Sequence, residues 1–197
     1  MRTIATLLAI GLSGCASAPY VEPLDWSSLG SGCYDRGLSE VLLLPDDFGT
    51  RLNLTDIRIG RLPDTGNGPG LVAHFRRGLN GPFGQPTGQP QVFLAVGDWK
   101  KSCSVLLDVS DCPQSTEIYG QLAAQSISIG HAFDDAIGLT VIHGTTYFLS
   151  TRDGHANQMN WSYVGSEHPL QKQLDTALDS LNQCAASAAT ALSRYGR

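Results

Sequence analysis

The run His131-Ala-Phe-Asp134-Asp135 is the one stretch of this chain in which a histidine stands close to two carboxylates. It follows a strand-like run. At a strand end such a trio suits either a divalent cation or a general acid and base. A solvated loop, with Asp135 capping a turn, accounts for the same residues and is the simpler reading. The other histidines offer less. His74 lies inside Val72-Ala-His-Phe75 and reads as a half-buried side chain with a satisfied hydrogen bond. His143 precedes Gly144 at a turn, and His155 sits beside Asp153 in a hairpin turn at the surface. No G-x-S-x-G elbow or H-E-x-x-H pair accompanies any of them. The glycine-rich Gly66-Asn-Gly-Pro-Gly70 contains proline and lacks the lysine of a phosphate loop. These patterns imply no cofactor.

Cysteine is the second reactive type. Besides Cys15, the chain carries Cys33, Cys103, Cys112 and Cys184. An even number in an exported domain reads as two disulfides with three possible pairings. Proximity in sequence favours Cys103–Cys112. Cys33–Cys184 would then tie the start of the domain to its last helix, worth about 4–5 kcal/mol by loop closure. Zinc and redox readings both lack the C-x-x-C spacing they need.

The elements that position these groups are short. Strand-like runs occur at 41–44, 56–62, 71–76, 91–99, 104–109, 125–133, 138–143, 145–151 and 158–164. Ile57 and Ile59 alternate with Asp56, Arg58 and Gly60, a period of two that marks a half-buried strand. Asp153-Gly154 separates Tyr147/Leu149/Thr151 from Met159/Trp161/Tyr163 and predicts a hairpin. Residues 63–70 and 80–90 are too rich in glycine and proline to be regular. The period changes at the C-terminus. Ser166 is a candidate helix cap, Pro169 suits the first turn, and Leu170, Leu174, Ala177, Leu178, Leu181, Cys184, Ala185, Ala188 and Leu192 follow helical spacing. The expected fold is α+β, mainly an antiparallel sheet or open barrel closed by one long C-terminal helix. Trp99 and Trp161 are expected in the core, with Trp26 sealing an edge. Lys100-Lys101 forms a local positive spot beside Trp99.

The N-terminus states a location. One charge, Arg2, precedes an apolar run from Ile4 to Leu12, followed by small residues and Cys15. That order is the pattern of an export signal. About nine apolar residues are too few to span a bilayer, which takes roughly twenty. Leu12-Ser13-Gly14-Cys15 resembles the lipobox of bacterial lipoproteins. The resemblance covers only the leader and first mature residues. It implies a diacylglyceryl group on the Cys15 sulfur, cleavage after Gly14 and acylation (palmitate) of the new amine. Two or three acyl chains hold a protein where one gives marginal binding. Ala16 after the cysteine implies sorting to the outer membrane in a Gram-negative host. An ordinary cleaved leader, with Ala16-Ser17-Ala18 as its small-residue site, is the competing reading.

The expected organisation is therefore a signal peptide at 1–14, a lipidated tether at 15–32 and one globular domain at 33–197. The 13 basic residues, less Arg2 after cleavage, face 18 acidic ones, a mature net charge of about −6. Such a surface argues against a nucleic-acid partner and against electrostatic docking on anionic lipid. The leading expectation is a non-enzymatic binding or assembly module, held to the membrane by its lipid, with an envelope protein or glycan as partner. One alternative is a surface-held hydrolase or metal-dependent enzyme using His131, Asp134 and Asp135. Another is an inhibitor or immunity-type lipoprotein presenting the 80–90 loop.

Overall fold

A computed structural model describes residues 33–35, 37–38, 52, 55–64, 69–78, 87–126, 144–153, 155–165 and 168–195. Among these described residues seven strands form one open sheet: β1 (Cys33–Tyr34), β2 (Ile57–Pro63), β3 (Gly70–Gly78), β4 (Thr87–Gly97), β5 (Ser102–Leu107), β6 (Thr145–Arg152) and β7 (Gln158–Val164). Their order is β1-β5-β4-β3-β2-β6-β7, and every pairing is antiparallel. β2 to β5 are a simple meander. Helix α1 (Ser115–Ala123) lies in the connection that brings the β6–β7 hairpin back beside β2. Helix α2 (Pro169–Tyr195) follows β7. The α+β expectation holds, with an open sheet in place of a barrel.

Alternation sorts the side chains onto two faces. Ile57 and Ile59, Leu71 and Phe75, Val92 and Leu94, and Leu149 all point to the helix side and are buried. There they meet Ile118 and Leu122 of α1, and Leu174, Leu178 and Leu181 of α2. The opposite face holds a smaller cluster of Leu38, Val72 and Ala95, with Leu62, Phe93 and Phe148 against it. Gly60 is required there. A β-carbon on it would lie 2.4 Å from Cε1 of Phe148, its partner across the β2–β6 pair.

The predicted hairpin forms in the expected register, with Tyr147 opposite Tyr163, Leu149 opposite Trp161 and Thr151 opposite Met159. Its loop is longer than a two-residue turn. Asp153 N donates to Asn157 O, and Ala156 takes the positive φ, 69°. The Asp153 carboxylate organises the loop by accepting from the backbone N–H of His155 and Asn157, each at 2.9 Å.

Three expectations are corrected here. Thr87–Pro90, expected as part of a loop, instead opens β4, and Gly78 pairs with Thr87 beyond a register irregularity. Pro90 is tolerated because it lies at that interrupted end of the ladder. Residues 115–123 form a helix where no helix was expected. Its signal was the pair Ile118 and Leu122, four residues apart and both buried, weakened by Gly120 and by the short length. The helix expectation holds: α2 starts at Pro169 and buries the expected stripe from Leu170 to Ala185, and His168 Nδ1 accepts from Leu170 N at 3.2 Å in its first turn. Ser166 lies outside the described residues, as do the strand-like runs at 41–44 and 138–143 and nearly all of 125–133.

The disulfide pairing is the third correction. The bonds are Cys33–Cys103 and Cys112–Cys184. Cys103 stands near one end of β5, whose extended backbone carries Leu107 about 13 Å away at roughly 3.3 Å per residue. Cys112 lies beyond that far end, close in sequence but not in space. Cys103 instead faces Cys33 directly across the β1–β5 pair. Cys112, fully buried, reaches the core-facing stripe of α2 at Cys184.

Candidate functional site

His131, Asp134 and Asp135 lie outside the described residues, together with His143, Trp26 and Cys15. The described residues bring together a different acid and base. Asp56, just before β2, and His74, in the middle of β3, are both fully buried, with His74 Nε2 3.1 Å from Asp56 Oδ2. Register explains the meeting. Arg58 is the cross-strand partner of His74, so Asp56 lies one diagonal step away on the same face. Arg58 and Arg76 complete the cluster, and Arg76 also stacks its guanidinium over Phe93 at 5.1 Å.

Burial depresses the His74 pKa. The hydrogen bond to Asp56 pulls the other way, and the nearby Arg58 and Arg76 add to the depression. Burial likewise lowers Arg58, with Asp56 opposing it. The balance favours the neutral form of the imidazole inside the sheet. Both groups are sealed from solvent, so a substrate cannot reach them in this conformation. The expectation of a buried, hydrogen-bonded His74 holds, and the burial is complete rather than partial. Asp56 was not legible as its partner, because the contact depends on pairing between segments 18 residues apart.

A second polar link ties the helix to the sheet. Arg61 of β2 donates to Asp175 at 3.0 Å and to Asp179 at 2.8 Å, while Tyr147 donates its hydroxyl to Asp175 at 3.1 Å. Burial lowers the Arg61 pKa, but the two carboxylates outweigh it and leave it raised.

The surface offers three features. The first is an aromatic group on the outermost strand. Trp161 and Tyr163 of β7 stack with planes 10° apart, and His168 packs against both at 4.8 and 5.2 Å. All three are half-buried. Trp161 touches the main core at its margin, so its expected burial is met only in part. The second is a trough of about 480 Å³ between α1 and α2, lined by polar groups with Glu117 and Lys172 as its charges. The third is the β4–β5 turn. Trp99, expected in the core, stands there 64% exposed with Lys100 Nζ 4.2 Å from its ring centre. The strand ends at Gly97, two residues before Trp99, and the core-facing positions of β4 are Val92, Leu94 and Val96, so neither the turn nor the alternation carries the indole into the core. His155 is exposed at the β6–β7 loop, as expected.

No group of three or more histidine, cysteine or acidic side chains suited to a metal occurs among the described residues. Among them, too, no helix is long and apolar enough to cross a membrane. No protein-family model, curated protein or solved structure matches the chain.

Proposed function

We propose that this chain is a lipid-anchored protein of the bacterial envelope whose domain binds a partner, an envelope protein or glycan, and does so without chemical turnover. Leu12-Ser13-Gly14-Cys15 supports the anchor. The observation that carries the binding role is the outer strand β7. Being last in the sheet order among the described residues, it presents an edge there, and with the neighbouring His168 it displays Trp161 and Tyr163 as one half-buried aromatic surface. Rigid aromatic faces beside an edge strand suit either the apolar face of a sugar ring or an added strand with its side chains. The one described acid–base pair that is well formed, Asp56–His74, is enclosed and serves the fold.

Two measurements test the reading. Intact mass of protein purified from its native membrane is expected to start at an acylated Cys15 and to lack four thiol protons before reduction. An unmodified thiol on Cys15 refutes the anchor. For the binding role, a photo-crosslinking residue at exposed Met159, on the same face of β7 as Trp161 and Tyr163, is expected to give discrete adducts in living cells, or retention on isolated cell wall. Tyr163→Ser should abolish both. Adducts identical to those from Gln121, on α1, refute the assignment of this edge.

A further inference from the structure

The Cys33–Cys103 bond fixes the point at which the N-terminal segment joins the sheet, and that point adjoins the β4–β5 turn. Tyr34 pairs with Ser102, the first residue after the turn, and Gly97 pairs with the same Ser102 from the other side. Lys101 Nζ lies 3.8 Å from Asp35, and Leu38 N donates to Asp98 O at 2.8 Å. The turn therefore belongs to the same corner of the domain as the tether's entry.

We infer that this turn is the membrane-facing end of the anchored domain, with Trp99 entering the headgroup zone of the phospholipid surface and Lys100 and Lys101 meeting lipid phosphates. The inference rests on the lipid anchor proposed above. Seventeen residues separate Cys15 from Cys33, and a flexible chain of that length spans on the order of 25 Å. So short a tether keeps the corner where it enters closest to the bilayer. That corner carries the residue types that settle at such a boundary. An indole has an apolar body and a polar N–H, and lysine keeps its ammonium in the polar layer while its stem lies along apolar surface.

The turn is already ordered, so contact does not require it to fold. Asp98 Oδ1 accepts from Lys100 N at 2.6 Å and from Lys101 N at 2.8 Å, and Asp98 N donates to Lys101 O. A β-carbon on Gly97 would lie 2.3 Å from Lys101 O, so the close approach needs glycine. Asp98 and Asp35 offset the two lysines in charge. The turn accordingly orients a domain whose hold on the membrane comes from the lipid.

The test uses the full acylated protein in phosphatidylethanolamine–phosphatidylglycerol vesicles whose acyl chains are brominated near the glycerol. Wild type and Trp99→Phe are compared, which separates Trp99 from Trp26 and Trp161. Bromolipid is expected to quench most of the emission that distinguishes the two proteins, and Lys100→Glu with Lys101→Glu should weaken that quenching. Intact mass on the same sample separates the failures. An acylated Cys15 with Trp99 emission untouched by bromine overturns the orientation alone. A chain without acyl groups overturns the anchor and the orientation with it. Trp99 emission that shifts to the blue in native membranes but escapes bromolipid in pure vesicles means that a protein covers the turn, and this also overturns the inference.

Discussion

Replacing Cys112 and Cys184 together by alanine tests how the fold is braced. The two disulfides span 70 and 72 residues. Their loops, 33–103 and 112–184, follow one another without overlap, so each restrains its own part of the unfolded chain. Loop closure at this length is worth about 4 kcal/mol for each bond. The second bond is also buried, with Cys112 at 0% and Cys184 at 5% exposure. Removing its sulfurs adds about 1 kcal/mol of lost apolar burial. Cys33 is exposed and belongs to a two-residue strand, so Cys33→Ala with Cys103→Ala should lose the entropic part alone. The expected losses are about 5 and about 4 kcal/mol. With a urea m-value of about 2 kcal/mol/M, both midpoints fall by roughly 2 M or more. Equilibrium urea unfolding followed by tryptophan fluorescence and by far-UV circular dichroism measures the shift. A loss below about 1 kcal/mol for the buried pair, or a larger loss for the exposed pair, refutes the reasoning. A peptide map of unreduced protein that joins Cys103 to Cys112 refutes the pairing itself.

Three further outcomes are expected. The His74 pKa is depressed in the folded state, so the unfolded chain takes up the proton first as pH falls. Stability is therefore fullest above the ordinary value near 6.5 and declines below it, by at most about 1.4 kcal/mol per pH unit, until the lower folded value is passed. Urea unfolding at pH 7.5, 6.5 and 5.5 checks this, and a midpoint that rises on acidification contradicts it. Asp175→Asn weakens the link from α2 to buried Tyr147 and to Arg61, and both members of the Arg61–Asp175 ion pair are partly exposed. A loss of about 1 kcal/mol is expected, shrinking in high salt; a salt-independent loss means that the ion pair is not its source. Gly60→Ala drives a methyl group into the Phe148 ring and should cost about 1–3 kcal/mol in thermal unfolding. No loss would show that the ring moves aside freely.

The strands were legible because a sheet with one well-covered face imposes a period of two, and Ile57/Ile59 and Tyr147/Leu149 obey it. The long helix was legible because Leu170, Leu174, Leu178 and Leu181 repeat on one side. α1 was not, since nine residues give two apolar positions and a glycine, too little to define a period. Trp99 misled for a related reason. Its composition is that of a core residue, and its exposure follows from a strand that stops at Gly97.

What the sequence determined by itself is local: the strand period of two, the hairpin at Asp153 and the terminal helix with its apolar stripe. Each depends on residues within a few turns of one another, where spacing alone sets the outcome. Tertiary structure decided the pairings. It joined Cys33 to Cys103 and Cys112 to Cys184, placed Asp56 against His74, and set the turn that carries Trp99 beside β1. These contacts depend on strand register and on where two helices cross the sheet. That geometry is settled by burying the Phe75, Leu94 and Leu178 core as a whole.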